Sequence, residues 1–183
     1  MTALLLIDIQ LGLDQLDYYG GERNNPQAEA NASLLLNYCR ENGVAVYHVQ
    51  HSSKNPESPL HPSKPGFTIK PEVHPIAGEP HYIKHENSAF VGTSLEKDLK
   101  ESGATQLVIC GLTTEHCVST STRMAANLGF GVTLIVDGTA AFAKQDGEIT
   151  FPAQLVHEVE IACLRDEFAT IMTAQQWLAS QDN

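Results

Sequence analysis

Short apolar runs alternate with longer amphipathic segments along almost the whole chain of 183 residues. The first run, Ala3–Ile7, is continuously apolar, as in a strand that is buried on both faces of a sheet. Similar runs recur after each amphipathic segment. We predict about six strands: Ala3–Ile7, Val44–Val49, Tyr82–Lys84, Gln106–Cys110, Gly131–Val136 and Phe168–Met172.

The segments between these strands have the apolar spacing of helices, and several end at a glycine. We predict helices over residues 27–41, over Leu95–Ser102, from Glu115 to the residue before Gly129, over Ile149–Leu164, and around Trp177. Strands that alternate with helices, without a hairpin signal, predict a mostly parallel sheet covered on both faces. The expected architecture is a three-layer α/β/α fold in a single domain, residues 1–183.

The composition excludes several classes of function. The chain has 11 basic and 22 acidic residues and a formal net charge of −11. No face is therefore basic enough to bind nucleic acid or an anionic membrane surface. The apolar runs are far shorter than the about 20 residues of a membrane span, and no basic region typical of a signal peptide precedes the first run. We expect a cytoplasmic protein whose partner is a small-molecule substrate.

Three reactive side chains follow strands of the predicted sheet. Asp8 follows the first strand, Lys84 ends the third, and Cys117 comes shortly after the fourth. Because ligands bind at the carboxyl ends of strands in an open parallel sheet, we expect these side chains to meet. Thr113 or Thr114 is predicted to cap a helix with Cys117 in its first turn, where the helix dipole and Lys84 would favour a thiolate.

The other cysteines, Cys39, Cys110 and Cys163, are widely spaced and form no C-x-x-C pair with one another or with Cys117. Disulfides are not expected in a chain of this kind. We predict these three as buried free thiols that act as small apolar residues.

The segments around the reactive residues resemble the isochorismatase-like cysteine hydrolase superfamily, to which nicotinamidases and N-carbamoylsarcosine amidase belong. The matching elements are Asp8 with Gln10, Lys84 ahead of Asn87-Ser88-Ala89-Phe90, Gly111-Leu112-Thr113-Thr114-Glu115-His116-Cys117-Val118, and Asp137-Gly138-Thr139-Ala140-Ala141-Phe142. The resemblance covers nearly the whole chain in order. It implies a Rossmann-like, isochorismatase-like hydrolase fold.

The resemblance also implies that Asp8, Lys84 and Cys117 form a catalytic triad. Asp8 would take the thiol proton as general base, Lys84 would hold Asp8, and Cys117 would attack a carbonyl to form a thioester. The backbone N–H groups of Thr113 and Cys117 would form an oxyanion hole, beside a cis peptide bond at Leu112–Thr113. The implied reaction is hydrolysis of a C–N bond in a small amide, lactam or ureido compound.

Two other functions remain open at this point. An isochorismatase would hydrolyse a vinyl ether without needing a thiolate, and a non-catalytic binding domain would retain the fold alone. The complete set of Asp8, Lys84 and Cys117 favours acyl chemistry. By analogy with proteins of this fold, we expect a homo-dimer or homo-tetramer.

Further residues near the triad are predicted to shape the substrate pocket: Leu13, His51, Asn87, Phe90 and Leu112. Leucine and glycine follow Gln10 where many relatives place an aromatic residue, so ring stacking of the substrate is less expected. His116 is predicted at the rim and not in a dyad with Cys117, because adjacent residues of a helix do not face each other.

No metal and no cofactor are predicted. Metal-using nicotinamidases have an Asp-x-His pair after the second strand, whereas this chain has His48 and His51, which point to opposite faces of a strand. A metal would require the following loop to bring His51, His61 and His74 together. No G-x-G-x-x-G follows the first strand, so a nucleotide cofactor is not expected.

Residues 52–80, here called the proline-rich segment, contain seven prolines. A long connection of this kind inside a compact domain is usually a lid or a binding loop. The alternative is a surface excursion that its prolines stiffen.

Overall fold

Eight strands are present in the computed structural model, which describes residues 1–181. They are β1 Thr2–Ile7, β2 Ala45–His51, β3 His81–Lys84, β4 Gln106–Leu112, β5 Gly131–Ala140, β6 Lys144–Asp146, β7 Ile149–Phe151 and β8 Thr170–Met172. Six of them form one sheet in the order β3-β2-β1-β4-β5-β8, and every neighbouring pair in it is parallel. The prediction of a parallel α/β sheet is confirmed.

The central strand β1 shows why the sequence begins with a continuous apolar run. β1 pairs in parallel with β2 on one side and β4 on the other, so its backbone is hydrogen-bonded along both edges. Its side chains alternate between two cores: Ala3, Leu5 and Ile7 face one layer of helices, and Leu4 and Leu6 face the other. All five are at most 2% exposed.

The helices form the outer layers. They are α1 Leu16–Tyr19, α2 Ala28–Glu41, α3 Leu95–Glu101, α4 Ser119–Asn127, α5 Ala153–Leu164 and α6 Ala174–Gln181. Helices α2 and α6 cover one face of the sheet through residues such as Leu36 and Trp177. Helices α3, α4 and α5 cover the other through Leu99, Ala125 and Ile161. Within residues 1–181, no helix combines the length and apolarity that crossing a bilayer requires.

The predicted helix over Ile149–Leu164 is wrong at its start, as is the predicted absence of a hairpin. Strands β6 and β7 pair antiparallel, and Gly147 turns between them with a left-handed φ of 58°. The two residues between the strands are Gly147-Glu148, and a glycine at the first position of a two-residue loop is compatible with a hairpin turn. Pro152 immediately precedes α5, because its fixed φ and missing N–H suit the start of a helix and not its interior.

Other boundaries differ by a few residues. The fifth strand continues past Val136 to Ala140, and the last strand begins at Thr170 instead of Phe168. The helix predicted from Glu115 begins as a single π-helical turn, Thr114–Val118, and becomes α-helical only in α4.

The proline-rich segment is packed against the body of the protein. Two 3₁₀ turns, Pro65–Phe67 and Pro71–Val73, are its only regular elements within the described chain. Its backbone pairs with the residues after β1: the Leu11 N–H donates to the Thr68 carbonyl at 2.9 Å, and the Lys70 N–H donates to the Ile9 carbonyl at 2.9 Å. The segment is therefore a fixed wall beside the carboxyl end of β1.

Candidate active site

The structure brings Asp8, Lys84 and Cys117 together at the carboxyl edge of the sheet. The Lys84 Nζ lies 2.6 Å from Asp8 Oδ2 and 3.2 Å from Cys117 Sγ. Asp8 and Lys84 are each only 1% exposed, and Cys117 is half-buried. A lysine is rarely this buried without an opposite charge, and here the ion pair with Asp8 supplies it.

The strand ends explain how these side chains meet. Asp8 leaves β1 with a left-handed φ of 52°, and its N–H donates to the Val49 carbonyl of β2 at 2.9 Å. Gly111 of β4 lies so close to β1 that a Cβ there would be 2.2 Å from the Ile7 carbonyl oxygen. This approach, which only glycine permits, places the turn after β4 directly beside Asp8.

Cys117 lies in the π-helical turn that follows β4. Thr113 precedes the turn in an extended conformation, without the side-chain cap that the sequence predicts. The Leu112–Thr113 peptide bond is cis, and the Thr113 carbonyl accepts hydrogen bonds from the N–H groups of His116 and Val118, both at 3.2 Å. Cys117 thus occupies the first turn after the strand, with Thr113 beside it at the edge of the sheet.

The protonation state of Cys117 differs from the thiolate that the sequence predicts. Burial raises the pKa of the Cys117 thiol, and the Asp8 carboxylate raises it further, while Lys84 lowers it by less. Burial lowers the pKa of the Lys84 ammonium, but the contacts with Asp8 and Cys117 outweigh the effect of burial, so the pKa is raised overall. The site therefore holds an ammonium–carboxylate pair and a protonated thiol.

A protonated thiol predicts how Cys117 reacts with iodoacetamide. Below the pKa, the thiolate fraction rises about tenfold for each pH unit, so we expect the alkylation rate of Cys117 to climb from pH 6 to pH 9 without a plateau. Mass mapping of adducts against time measures this. Cys163, which is exposed and not buried as predicted, serves as the internal reference. A plateau near neutral pH would contradict the protonated thiol.

His51 completes the surroundings of Lys84. Its Nδ1 lies 3.1 Å from the Lys84 Nζ. Because an ammonium only donates, Nδ1 must accept, and the ring proton lies on Nε2. Burial and the Lys84 charge lower the pKa of His51, so its ring is neutral. With Asp8, Cys117 and the Glu86 carbonyl, His51 gives Lys84 four acceptors for three N–H donors.

Gln10 fixes His51 in place, a role that the sequence reading missed. The Gln10 Oε1 accepts from the His51 N–H at 2.9 Å, and its Nε2 donates to the carbonyls of His51 at 3.0 Å and Phe67 at 2.7 Å. Gln10 is fully buried. In the sequence, only its position two residues after Asp8 in the matching motif indicates that Gln10 belongs to the site.

A cavity of about 330 Å³ opens above Cys117. Its lining residues come from several segments of the chain: Asp8, Leu13, Tyr19, His51, Leu60, Asn87, Leu112, Thr113, Glu115, His116, Cys117, Phe142 and Lys144. Four of the five predicted pocket residues are among them. The fifth, Phe90, is a correction: it lies in the core, with its ring centroid 6.3 Å from that of Phe130. The Ala89 N–H donates to Ser121 Oγ of α4, which turns this segment inward.

The cavity also has an aromatic wall that the sequence reading did not expect. Tyr19 stacks on Phe142 with a centroid distance of 4.9 Å, and both line the cavity. Tyr19 comes from the one-turn helix α1, beyond the positions directly after Gln10 where many relatives place an aromatic residue. The aromatic surface is therefore supplied from a different place in the chain.

The donor set at this site suits a metal ion poorly. Ligand atoms of Asp8, His51 and Cys117 lie within 4.8 Å of one another, the one such group in the part of the chain that the structure describes. The Lys84 ammonium already contacts all three residues. A cation bound there would face this charge at close range. His61 and His74 are not part of the group, so the loop does not gather the three histidines.

Comparisons with known proteins identify the family and the fold. A family model described as Isochorismatase domain matches residues 2–176. The isochorismatase family protein YrdC of Bacillus subtilis is 48% identical over 95% of this chain and 92% of its own, and a streptothricin hydrolase of Streptomyces noursei is 30% identical over 95% of this chain and 63% of its own. The crystal structure of a hydrolase of the isochorismatase family from Chromobacterium violaceum superposes with a TM-score of 0.94 at 39% identity, covering 100% of this chain and 94% of that one.

Proposed function

Since the chain belongs to the isochorismatase family of hydrolases, we propose that it hydrolyses a C–N bond of a small molecule through a thioester on Cys117. The bond would belong to an amide, a lactam or a ureido group. The observation that carries this proposal is the Lys84 ammonium, which contacts the Asp8 carboxylate at 2.6 Å and the Cys117 sulfur at 3.2 Å. This arrangement supports the proposal, because a carboxylate, an ammonium and a thiol lie around one point.

Asp8 acts as the general base in the proposed first step. Its Oδ2 is held by Lys84, whereas its buried Oδ1 has no hydrogen-bond partner among residues 1–181. That oxygen is free to take the thiol proton as Sγ forms a bond to the substrate carbonyl carbon. The C–N bond then breaks, and Asp8 passes the proton to the leaving nitrogen. The product of this step is a thioester and a free amine.

Water completes the reaction. Asp8, again a carboxylate, takes a proton from water as the water oxygen attacks the thioester carbonyl, and the thiol leaves with that proton. The backbone N–H groups of Thr113 and Cys117 are proposed to hold the oxyanion in both steps. Lys84 does not transfer a proton in this scheme, because its raised pKa keeps it charged; it holds Asp8 and balances the charge of the sulfur.

Isochorismatase activity is less compatible with the cavity. Isochorismate carries two carboxylates, which need cationic partners. Lys144 is the one lysine among the described lining residues, and its ammonium is paired with Glu115 at 2.8 Å. Lys84 lies behind the cavity and is paired with Asp8. Both ammonium groups therefore already have a carboxylate partner. A non-catalytic binding domain would have no need for the costly buried Asp8–Lys84 pair beside a thiol.

Product analysis tests the proposal. The wild-type protein is incubated with a panel of small amides, lactams and ureido compounds, and with isochorismate. We expect release of ammonia or an amine from part of the panel, without pyruvate from isochorismate. Rapid acid quenching followed by peptide mass analysis should show the acyl group on Cys117. Pyruvate release, or turnover without an adduct on Cys117 under conditions that trap intermediates, would overturn it.

A further inference from the structure

Glu115 is a buried carboxylate that the proposed reaction does not use. It lies in the π-helical turn two residues before Cys117, and its side chain is 8% exposed. Its Oε1 lies 2.8 Å from Lys144 Nζ and 3.9 Å from His116 Nε2. Neither carboxylate oxygen has a partner in hydrogen-bond geometry within residues 1–181. Lys144 compensates the charge of this carboxylate, while Oε2 is buried without a hydrogen-bond partner of its own within residues 1–181 and can accept one from a ligand.

Glu115 lines the catalytic cavity together with Cys117, so a ligand held by the thiol would lie within its reach. Glu115 and Lys144 also line an adjacent groove, whose walls are apolar residues of β7 and α5 such as Phe151, Leu155 and Val159. The ion pair therefore lies at the boundary between the cavity and this groove, which Glu160 also lines.

The charged groups at this cavity occur in two pairs, Asp8 with Lys84 and Glu115 with Lys144. Asp8 and Lys84 neutralise each other, and burial lowers the pKa of His51, so its ring is neutral at neutral pH. His116 lies at the rim with an exposed side chain. Lys144 is about a third exposed, with a side-chain exposure of 35%. Since Lys144 is a long side chain on a hairpin, its ammonium can move into solvent, and a cation of the substrate can take its place beside the buried Glu115.

Building on the proposed hydrolase function, we propose that Glu115 binds an ammonium, guanidinium or amidinium group of the substrate, and that this group displaces Lys144. The substrate class is therefore a small C–N compound with a cationic substituent a few ångströms from the scissile carbonyl. The net charge of −11 acts in the same direction, because it draws cations toward the protein.

Paired substrates test this inference. Each pair shares one scissile amide and differs only in an ammonium group or a neutral group of the same size, and the ratio of the two kcat/KM values is measured. We expect the wild-type ratio to favour the cation by about tenfold or more, and to shrink with added salt. Glu115→Gln should lower the ratio about 10- to 100-fold, and Lys144→Gln should raise it several-fold.

Two further variants separate binding from structure. Glu115→Asp keeps the charge and should retain part of the preference. Glu41→Gln changes the net charge equally at an exposed site at the end of α2, and should leave the ratio unchanged. An unchanged ratio in Glu115→Gln, or a wild-type ratio near one, would overturn the inference. Trapping of the thioester on Cys117 with the neutral substrate tests the hydrolase function separately.

Discussion

Replacement of Cys117 by alanine is expected to reduce amide turnover by at least about 10⁴-fold, because no other group can form the acyl intermediate. The fold should be unaffected. Without the sulfur, the three N–H donors of Lys84 still have three acceptors: Asp8 Oδ2, His51 Nδ1 and the Glu86 carbonyl. Release of amine measures the first effect, and thermal unfolding measures the second.

The matched control is Cys163→Ala, which removes an exposed thiol outside the cavity and should retain full activity. Cys117→Ser keeps the size of the side chain but replaces the thiol with a poorer nucleophile, so we expect it to be nearly as inactive as the alanine variant. Turnover by either Cys117 variant near the wild-type rate would rule out a thioester mechanism.

Replacement of Asp8 by asparagine is expected to change turnover and alkylation in opposite directions. Turnover should fall about 10²- to 10⁴-fold, because the base that takes the thiol proton is lost. Alkylation of Cys117 at pH 7 should become faster, because the Asp8 carboxylate is one of the causes that raise the pKa of this thiol. Kinetics with an amide substrate and mass mapping after iodoacetamide measure the two effects on one protein sample.

Asparagine is the appropriate replacement at this position. The backbone of residue 8 has a left-handed φ of 52°, which asparagine adopts more readily than alanine, and the amide oxygen still accepts from Lys84. Thermal unfolding checks that the variant is folded. Slower alkylation in Asp8→Asn would mean that Asp8 already draws the proton from the resting thiol, and wild-type turnover would exclude Asp8 as the base.

The sequence was sufficient for the sheet and for the meeting of the three reactive side chains. The run Ala3–Ile7 is typical of a strand buried on both faces, and parallel strands carry the residues after them to one edge. Asp8, Lys84 and Cys117 therefore had to approach one another. Their meeting at one edge follows from parallel strands, whereas the distances between them depend on local features such as the close approach of Gly111 to β1.

The parts that failed depend on three-dimensional packing. The thiolate was expected from a helix terminus and a lysine, but burial dominates the pKa of Cys117, and burial is a property of the folded site. Phe90 is apolar and near Lys84 in sequence, yet only the contact of its segment with α4 decides that it faces the core. Tyr19 and Lys144 reach the cavity from a one-turn helix and a short hairpin, whose signals are local and weak.

The proline-rich segment, finally, has a consequence for the entropy of ligand binding. Leu60 of this segment forms part of the cavity wall, and Gln10 and Gln50 both donate to the Phe67 carbonyl that anchors it. Ordering a residue of free chain costs about 1–2 kcal/mol, and in this protein that cost is met during folding. A substrate therefore enters a preorganised site, so a molecule of few atoms can bind without first ordering a loop.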